Sequence, residues 1–264
     1  MTMNTKAAFA LLLIAAAASS GCLERELKPL NPCLVSGVTA QIAVTNVDKV
    51  DLLFMVDNSG SMREEQAALK DQFPKLIKTL TTGQRQIAGG GVDPNPFPPV
   101  KDLHLGVVDS DMGLVGINGI GGCDGFGDDG LLQDPTMRGC AGAVAGHRFL
   151  EYKAPSTGTP DTAQIDALST NFGCVANLGT DGCGFEQQLE SPLKALWPSV
   201  DVDVKTGKVI MPNRIKFLPD AMGNGALGHG DRENNGFLRN KVQEGLSLIA
   251  VIVVTDEEDC SSQT

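Results

Sequence analysis

Oxygen-bearing side chains follow the apolar segment 52–56 at alternate positions. Asp57, Ser59 and Ser61 place one carboxylate and two hydroxyls directly after residues 52–56, and Gly60 allows an unusual backbone angle between them. Hard oxygen ligands that converge at a strand end suit a small divalent cation such as Mg²⁺, which keeps several of its waters. A plain turn between a strand and a helix is the alternative.

A further carboxylate follows the apolar segment near the end of the chain. Residues 248–254, Leu-Ile-Ala-Val-Ile-Val-Val, have the clearest buried-strand pattern in the chain, and Thr255 and Asp256 come directly after them. Open α/β sheets place ligands at the carboxyl ends of strands, where the strand order reverses. Asp256 is therefore a candidate ligand residue at such a strand end.

The segments that carry these residues have the periodicities of an α/β domain. Residues 52–56 and 103–108 are short apolar runs typical of buried parallel strands. Between them, apolar residues recur at helical spacing over 69–80. The order predicts a mostly parallel sheet with a right-handed crossover helix and helices on both faces. Pro74 is expected to kink or interrupt that helix, because it removes a backbone donor.

The Asp-x-Ser-x-Ser spacing after a hydrophobic strand resembles the metal-ion-dependent adhesion site of von Willebrand factor A (vWA) domains. The resemblance implies a Rossmann-like α/β domain over residues 38–264. It also implies that Asp57, Ser59, Ser61 and Asp256 hold Mg²⁺, or Mn²⁺ or Ca²⁺, with an open position for a carboxylate of a protein partner. The expected function is adhesion or protein binding.

Two features depart from the vWA pattern. The family adds a threonine hydroxyl from the loop before the second helix, but that position falls near Cys183, and the nearest threonine is Thr180. The family also continues beyond residues 248–254 with two more strand and helix units, whereas this sequence stops at Thr264. We expect the missing strands in a longer form of the protein, or a second chain that completes the sheet. The alternative function is a structural or degenerate module without metal binding.

The rest of the chain is predicted to form two insertions, at about 109–184 and 198–236. The first loses periodicity and is expected to be ordered by disulfides rather than by a core, with an antiparallel edge strand near 148–152. A helix over 184–196, bent at Pro192, follows it. The second insertion contains a hairpin signal over 200–211. Weaker patterns predict a strand at 38–47 and a short helix at 238–246.

The loop Cys-Asp-Gly-Phe-Gly-Asp-Asp-Gly contains a second set of carboxylates. Asp124, Asp128 and Asp129 could hold Ca²⁺ in a flexible oxygen cage. Their spacing does not follow a Ca²⁺ loop pattern, and Asp-Gly pairs are ordinary turn formers. The turn interpretation is therefore preferred.

The first residues have the composition of an export signal. Lys6 precedes an apolar run at 7–18 that is too short to span a bilayer, so residues 1–21 are predicted to be a signal peptide. The ending Ser-Ser-Gly-Cys resembles the lipobox of bacterial lipoproteins, which implies acylation of Cys22. An ordinary cleaved signal peptide is the alternative. In those families Leu23 implies sorting to an outer membrane, and 22–37 would be a tether to a periplasmic or cell-surface domain.

Six cysteines remain after Cys22, and an even count in an exported chain indicates disulfides. They are Cys33, Cys123, Cys140, Cys174, Cys183 and Cys260. Spacing predicts that Cys123 pairs with Cys140 and Cys174 with Cys183, since each pair closes a local glycine-rich loop. Cys33 and Cys260 then pair with each other, or Cys260 finds a partner elsewhere.

Composition limits the function classes. The 264 residues contain 21 Lys and Arg against 32 Asp and Glu, a formal net charge of −11, which disfavours nucleic acids as partners. A bound metal could activate water for hydrolysis. The chain has no Ser/His/Asp arrangement, no His-rich metal motif and no phosphate-binding glycine loop beside a lysine, so we predict that it is not an enzyme.

Overall fold

A computed structural model describes residues 48–260 apart from 88, 204, 211–213 and 240–246. In chain order these residues form β1 (Lys49–Val56), α1 (Arg63–Thr82), β2 (Gln86–Ile87), β3 (Gly91–Val92), β4 (Asp102–Asp109), β5 (Leu150–Lys153), α2 (Thr162–Val175), α3 (Glu190–Leu196), β6 (Asp201–Val202), β7 (Val209–Ile210) and β8 (Leu248–Val254). The predicted signal peptide, the strand at 38–47 and most of the helix at 238–246 lie outside the described residues.

The main sheet has four strands in the order β5-β4-β1-β8. β1 runs parallel to both β4 and β8, and β5 is antiparallel to β4. Val56 is level with Asp109 on β4 and with Val254 on β8. The residues that follow three neighbouring strands therefore emerge at the same edge of the sheet. The predicted α/β class and the antiparallel edge strand are confirmed.

The main core lies between β1, β4 and the two long helices. Phe54 on β1 meets Phe73 of α1 and Phe172 of α2, with ring centres 5.1 and 4.8 Å apart. α1 continues past Pro74, so the predicted interruption is absent. Phe73 and Ile77, on either side of the proline, are both buried in this core, and their packing holds the helix together.

α2 corrects the expectation that disulfides alone order residues 109–184. It buries Ile165, Leu168, Phe172 and Val175 at helical spacing against the main core. Its start is capped by Asp161, whose Oδ1 accepts from the backbone N–H groups of residues 163 and 164. The core therefore extends into the insertion.

α3 is shorter than the predicted helix over 184–196 and buries a different face. It begins at Glu190, which places Pro192 in the first turn, where a helix tolerates proline without a bend. Leu189 and Leu193 of the predicted apolar face are exposed, while Lys194 and Ala195 are buried. The buried face packs Ala195 and Leu196 against Leu53 and Met55 of β1, which leaves Leu189 and Leu193 on the opposite side.

The disulfides join different cysteines from those that spacing suggested. Cys123 pairs with Cys183, and Cys140 pairs with Cys174. The predicted pairs are wrong because the glycine loop around Cys123 folds against the loop around Cys183, so that a Cβ on Gly122 would lie 2.9 Å from the carbonyl oxygen of Gly182. Cys260 is also disulfide-bonded, and Cys33 lies outside the described residues.

The predicted hairpin is confirmed as a short antiparallel pair of β6 and β7. Gly207, with a φ of +69°, lies in its turn. Among the described residues, no strand pairs with the outer edge of β8. Alternate β8 side chains, Ile249, Val251 and Val253, are exposed.

A buried charged cluster closes the sheet edge where β1 and β4 begin. Asp51 on β1 is fully buried, and its Oδ1 lies 2.7 Å from Nε of Arg239. Arg239 also donates to the carbonyl oxygen of Val50 and forms an ion pair with Asp102. His104 Nδ1 donates to the carbonyl oxygen of residue 237 at 2.8 Å, since a carbonyl can only accept. These bonds attach the segment before β8 to the two central strands.

Candidate metal centre

Asp57 occupies the centre of the edge where the three strands end. Its carboxylate is fully buried. Oδ1 accepts from the backbone N–H of Ser59 at 2.8 Å and from the hydroxyl of Ser110 at 3.3 Å, and Oδ2 accepts from the hydroxyl of Thr255 at 2.8 Å. A backbone N–H from the turn after β1 and hydroxyls that follow β4 and β8 thus converge on one carboxylate.

Ser59, Ser61 and Asp256 extend this set from the interior to the surface. The hydroxyls of Ser59 and Ser61 lie 2.9 Å apart, and Ser61 Oγ donates to Asp256 Oδ1 at 3.1 Å. Ser59 is buried, whereas Ser61 and Asp256 are exposed. The structure therefore brings the four predicted ligands together at one edge of the sheet.

Ser110 and Thr255 complete the hydroxyl set around Asp57 and were not predicted as site residues. Both directly follow a strand whose end is level with β1. The rule that selected Asp57 and Asp256, a polar residue at the carboxyl end of a parallel strand, selects them as well.

Glu186 is the most informative residue that sequence reasoning missed. Its side chain is 1% exposed, and both carboxylate oxygens are buried without a hydrogen-bond partner among the described residues. Burial, together with the charges of Glu257 and Asp57, raises the pKa of this carboxyl to about 7. A buried carboxylate with no donor is costly unless it takes up a proton or a cation compensates it. Asp57 lies within electrostatic range of these oxygens, so a cation bound near Asp57 would also compensate Glu186.

The loop that carries Glu186 is held against the Asp57 turn by backbone contacts. Gly182 N–H donates to the carbonyl oxygen of Asn58 at 2.9 Å, and a Cβ on Gly182 would lie 2.1 Å from Asn58 Oδ1. Gln66 of α1 donates from Nε2 to the carbonyl oxygens of Asp57 and Gly179, at 2.8 and 2.6 Å. Glycine at position 182 allows this approach because it has no Cβ. The two hydrogen bonds from Gln66 attach the loop to α1.

The loop before α3 offers no hydroxyl or thiolate at the position near Cys183, but it contains a buried carboxyl. Cys183 is bonded to Cys123, so it has no thiolate to offer. Thr180 directs its backbone carbonyl towards Gly60, 4.0 Å from where a Cβ would stand there. Glu186, three positions after Cys183, supplies carboxylate oxygens from the same loop. The donor set of carboxylates and hydroxyls suits Mg²⁺ or Mn²⁺.

The acidic loop does not form a second cation site. Asp129 pairs with Lys194 and His229, whereas Gln133 bridges Asp128 to Asp109. Asp129 adopts a left-handed φ of +58°, as expected for a turn former. Within the described part of the chain, no group of three or more His, Cys, Asp or Glu side chains is placed to hold a metal ion. A site at Asp57 therefore depends on its hydroxyl oxygens.

No protein-family model, curated protein or solved structure matches the chain. Function is therefore inferred from the sheet order, the converging oxygens and the disulfides. The disulfides indicate an extracytoplasmic location. None of the helices in the described ranges is sufficiently long and apolar to cross a bilayer.

Proposed function

We propose that this chain is an extracytoplasmic vWA-like module that binds a protein partner through a divalent cation. The observation that carries the proposal is the buried, unpartnered carboxyl of Glu186 within electrostatic range of Asp57, on which the hydroxyls that follow β4 and β8 converge. The strand order β5-β4-β1-β8, with an antiparallel edge strand, is the arrangement that the vWA resemblance implies. In this proposal Cys22 carries a lipid that anchors the module to the outer membrane.

Asp57 and Glu186 would hold the cation from the buried side, and Ser59 and Ser61 would hold it from the turn. A bound Mg²⁺ would supply a positive charge that attracts a carboxylate of the partner. Asp256 is exposed at the mouth of the crevice, and its hydrogen bond from Ser61 keeps it next to the turn. These residues bind and orient the partner, and no step of covalent chemistry is required.

Calorimetry with Mg²⁺ and Mn²⁺ tests the proposal. We expect Asp57→Asn to weaken cation binding at least about 100-fold, because it removes the central charge while keeping the side-chain shape. Asp181→Asn is the matched control, since it removes one carboxylate from an exposed part of the Glu186 loop. Equal cation binding by the wild type and Asp57→Asn, with both folded, would exclude the proposal.

Glu186→Gln is expected to change cation affinity and stability in opposite directions. The neutral amide loses a cation ligand, so Mg²⁺ affinity falls by about 10- to 100-fold. Without cation, the same change removes an unpartnered buried carboxylate, so the melting temperature rises. Calorimetry and thermal unfolding in chelator measure the two effects. An unchanged affinity would remove Glu186 from the ligand set.

A structural module without metal binding is the second candidate. One observation favours it: Thr255 already donates to Asp57, and Ser61 already donates to Asp256. With these bonds, the carboxylates of Asp57 and Asp256 accept hydrogen bonds from the protein alone. They leave Glu186 unpartnered, however, and the calorimetric comparison separates the two candidates.

A further inference from the structure

Two segments lie against each other beside the candidate metal centre. Residues 186–189 precede α3, and residues 255–260 follow β8. Hydrogen bonds between 2.9 and 3.5 Å long connect the two segments. In these bonds Cys260 N–H donates to the carbonyl oxygen of Glu186, Leu189 N–H to Asp259 Oδ1, and Gln188 Nε2 to Thr255 Oγ1 and the carbonyl oxygen of Glu258. The side chains at this junction are therefore fixed relative to each other.

Two carboxyl groups meet at the junction. The carboxyl of Glu257 lies within hydrogen-bonding reach of the Glu186 carboxyl, and its charge acts on Glu186 more strongly than that of Asp57. A carboxylate has no proton to donate, so neither group satisfies the other. Among the described residues, no Lys, Arg or His side chain forms an ion pair with either glutamate. The pair therefore needs a shared proton or a bound cation.

Gln188 adds a further acceptor to the junction. Its side chain is 2% exposed, and its Oε1 is buried without a donor among the described residues. Its Nε2 is bonded to Thr255 and to Glu258, which places the amide against the turn that contains Glu257. A proton shared by the two carboxyls would leave this amide oxygen without a partner. A cation binds oxygens of both kinds, so it accounts for the amide as well as the carboxyls.

We propose that Glu186, Glu257 and Gln188 hold a Ca²⁺ ion at this junction, separate from the cation that Asp57 would bind. Ca²⁺ takes about six to eight oxygens in flexible geometry, including amide oxygens and bidentate carboxylates, whereas Mg²⁺ demands a near-octahedral shell. Glu257 is exposed, so the ion has a path from solvent, and waters complete its shell on that side. Two carboxylates and one amide agree with the finding that no group of three His, Cys, Asp or Glu is placed to hold a metal in the described ranges.

The Ca²⁺ ion joins the segment after β8 to the loop before α3. Asp256 directly precedes Glu257, so the ion also restrains the carboxylate at the exposed end of the candidate metal centre. Both oxygens of Glu186 are unpartnered in the described structure, so one remains for the cation at Asp57. The effect on Asp256 rests on the proposed function, whereas Ca²⁺ binding itself does not.

Ca²⁺ calorimetry on the disulfide-bonded Asp57→Asn variant of the full chain tests the proposal, because this variant lacks the central ligand of the candidate metal centre. We expect one Ca²⁺ to bind with a Kd of about 1 mM or tighter, as in extracellular Ca²⁺ modules. Adding Glu257→Gln is expected to weaken this binding at least about tenfold. Glu258→Gln is the matched control, since it removes the same charge from the next exposed residue and is expected to leave the affinity nearly unchanged.

Thermal unfolding in the wild-type background keeps the test decisive if Asp57→Asn does not fold. Saturating Ca²⁺ is expected to raise the melting temperature of the wild type and of Glu258→Gln by more than that of Glu257→Gln. Absence of Ca²⁺ binding by folded Asp57→Asn, or equal Ca²⁺ effects on the two glutamine variants, would overturn the proposal and leave a shared proton only. That result leaves Mg²⁺ binding at Asp57 untouched, and a failure at Asp57 leaves the Ca²⁺ result interpretable.

Discussion

Arg239→Met is expected to lower the free energy of unfolding by about 3–5 kcal/mol, because it leaves the carboxylate of Asp51 buried without its cation. Asp51 is fully buried, and Arg239 donates to it from both Nε and the backbone. Arg239 also donates to backbone carbonyl oxygens of β1 and β4. Denaturant unfolding at neutral pH measures the loss.

The double variant Asp51→Leu, Arg239→Met is the control for this prediction. It removes the fully buried Asp51 carboxylate together with its cation, so that only the less buried Asp102 loses its partner, and we expect it to be more stable than Arg239→Met alone. In this variant the hydroxyl of Ser247 loses its acceptor on Asp51, so part of the loss of stability remains. A double variant less stable than Arg239→Met would contradict the ion-pair explanation.

Replacing Cys123 and Cys183 with alanine is expected to cost about 4 kcal/mol of stability, because the disulfide closes a loop with a sequence separation of 60 residues. Mg²⁺ affinity should also fall by about tenfold or more. Cys183 belongs to the loop that presents Glu186, and Gly182 beside it contacts Asn58. Thermal unfolding and calorimetry measure the two losses.

The Cys140–Cys174 disulfide offers a matched comparison. Its sequence separation is 34 residues, and the same entropy argument gives a cost near 4 kcal/mol. It joins the loop around Cys140 to α2, and neither cysteine belongs to the loop that presents Glu186. Alanines at these positions should therefore lower stability without changing Mg²⁺ affinity in the folded protein. If both pairs lowered the affinity alike, the effect would come from general destabilisation.

The sheet and half of the site could be predicted because both depend on local patterns. Residues 52–56 and 248–254 are continuous apolar runs, and Asp57 and Asp256 directly follow them. The rule that parallel strands end at one edge then brings the two carboxylates together. The hydrogen bond between Thr255 and Asp57 agrees with this rule.

The remainder depends on long-range contacts that no local pattern encodes. Glu186 follows a loop rather than a strand, and its position near Asp57 requires Gly182 to pack against Asn58. Cysteine spacing favoured local loops, whereas two distant glycine loops meet at Cys123 and Cys183. Helix α2 was not predicted because polar residues and Gly173 lie between its four buried apolar positions and weaken the helical periodicity.

The pairing of β1 with β8 has a consequence for the order of folding. Thr255 and Asp57 are separated by 198 residues, so the central strand gains its second parallel neighbour only after most of the chain has been synthesised. Until then one edge of the mostly apolar β1 is unprotected against other chains. Pairing of this edge with another chain is therefore the misfolding event that β8 prevents when it joins the sheet.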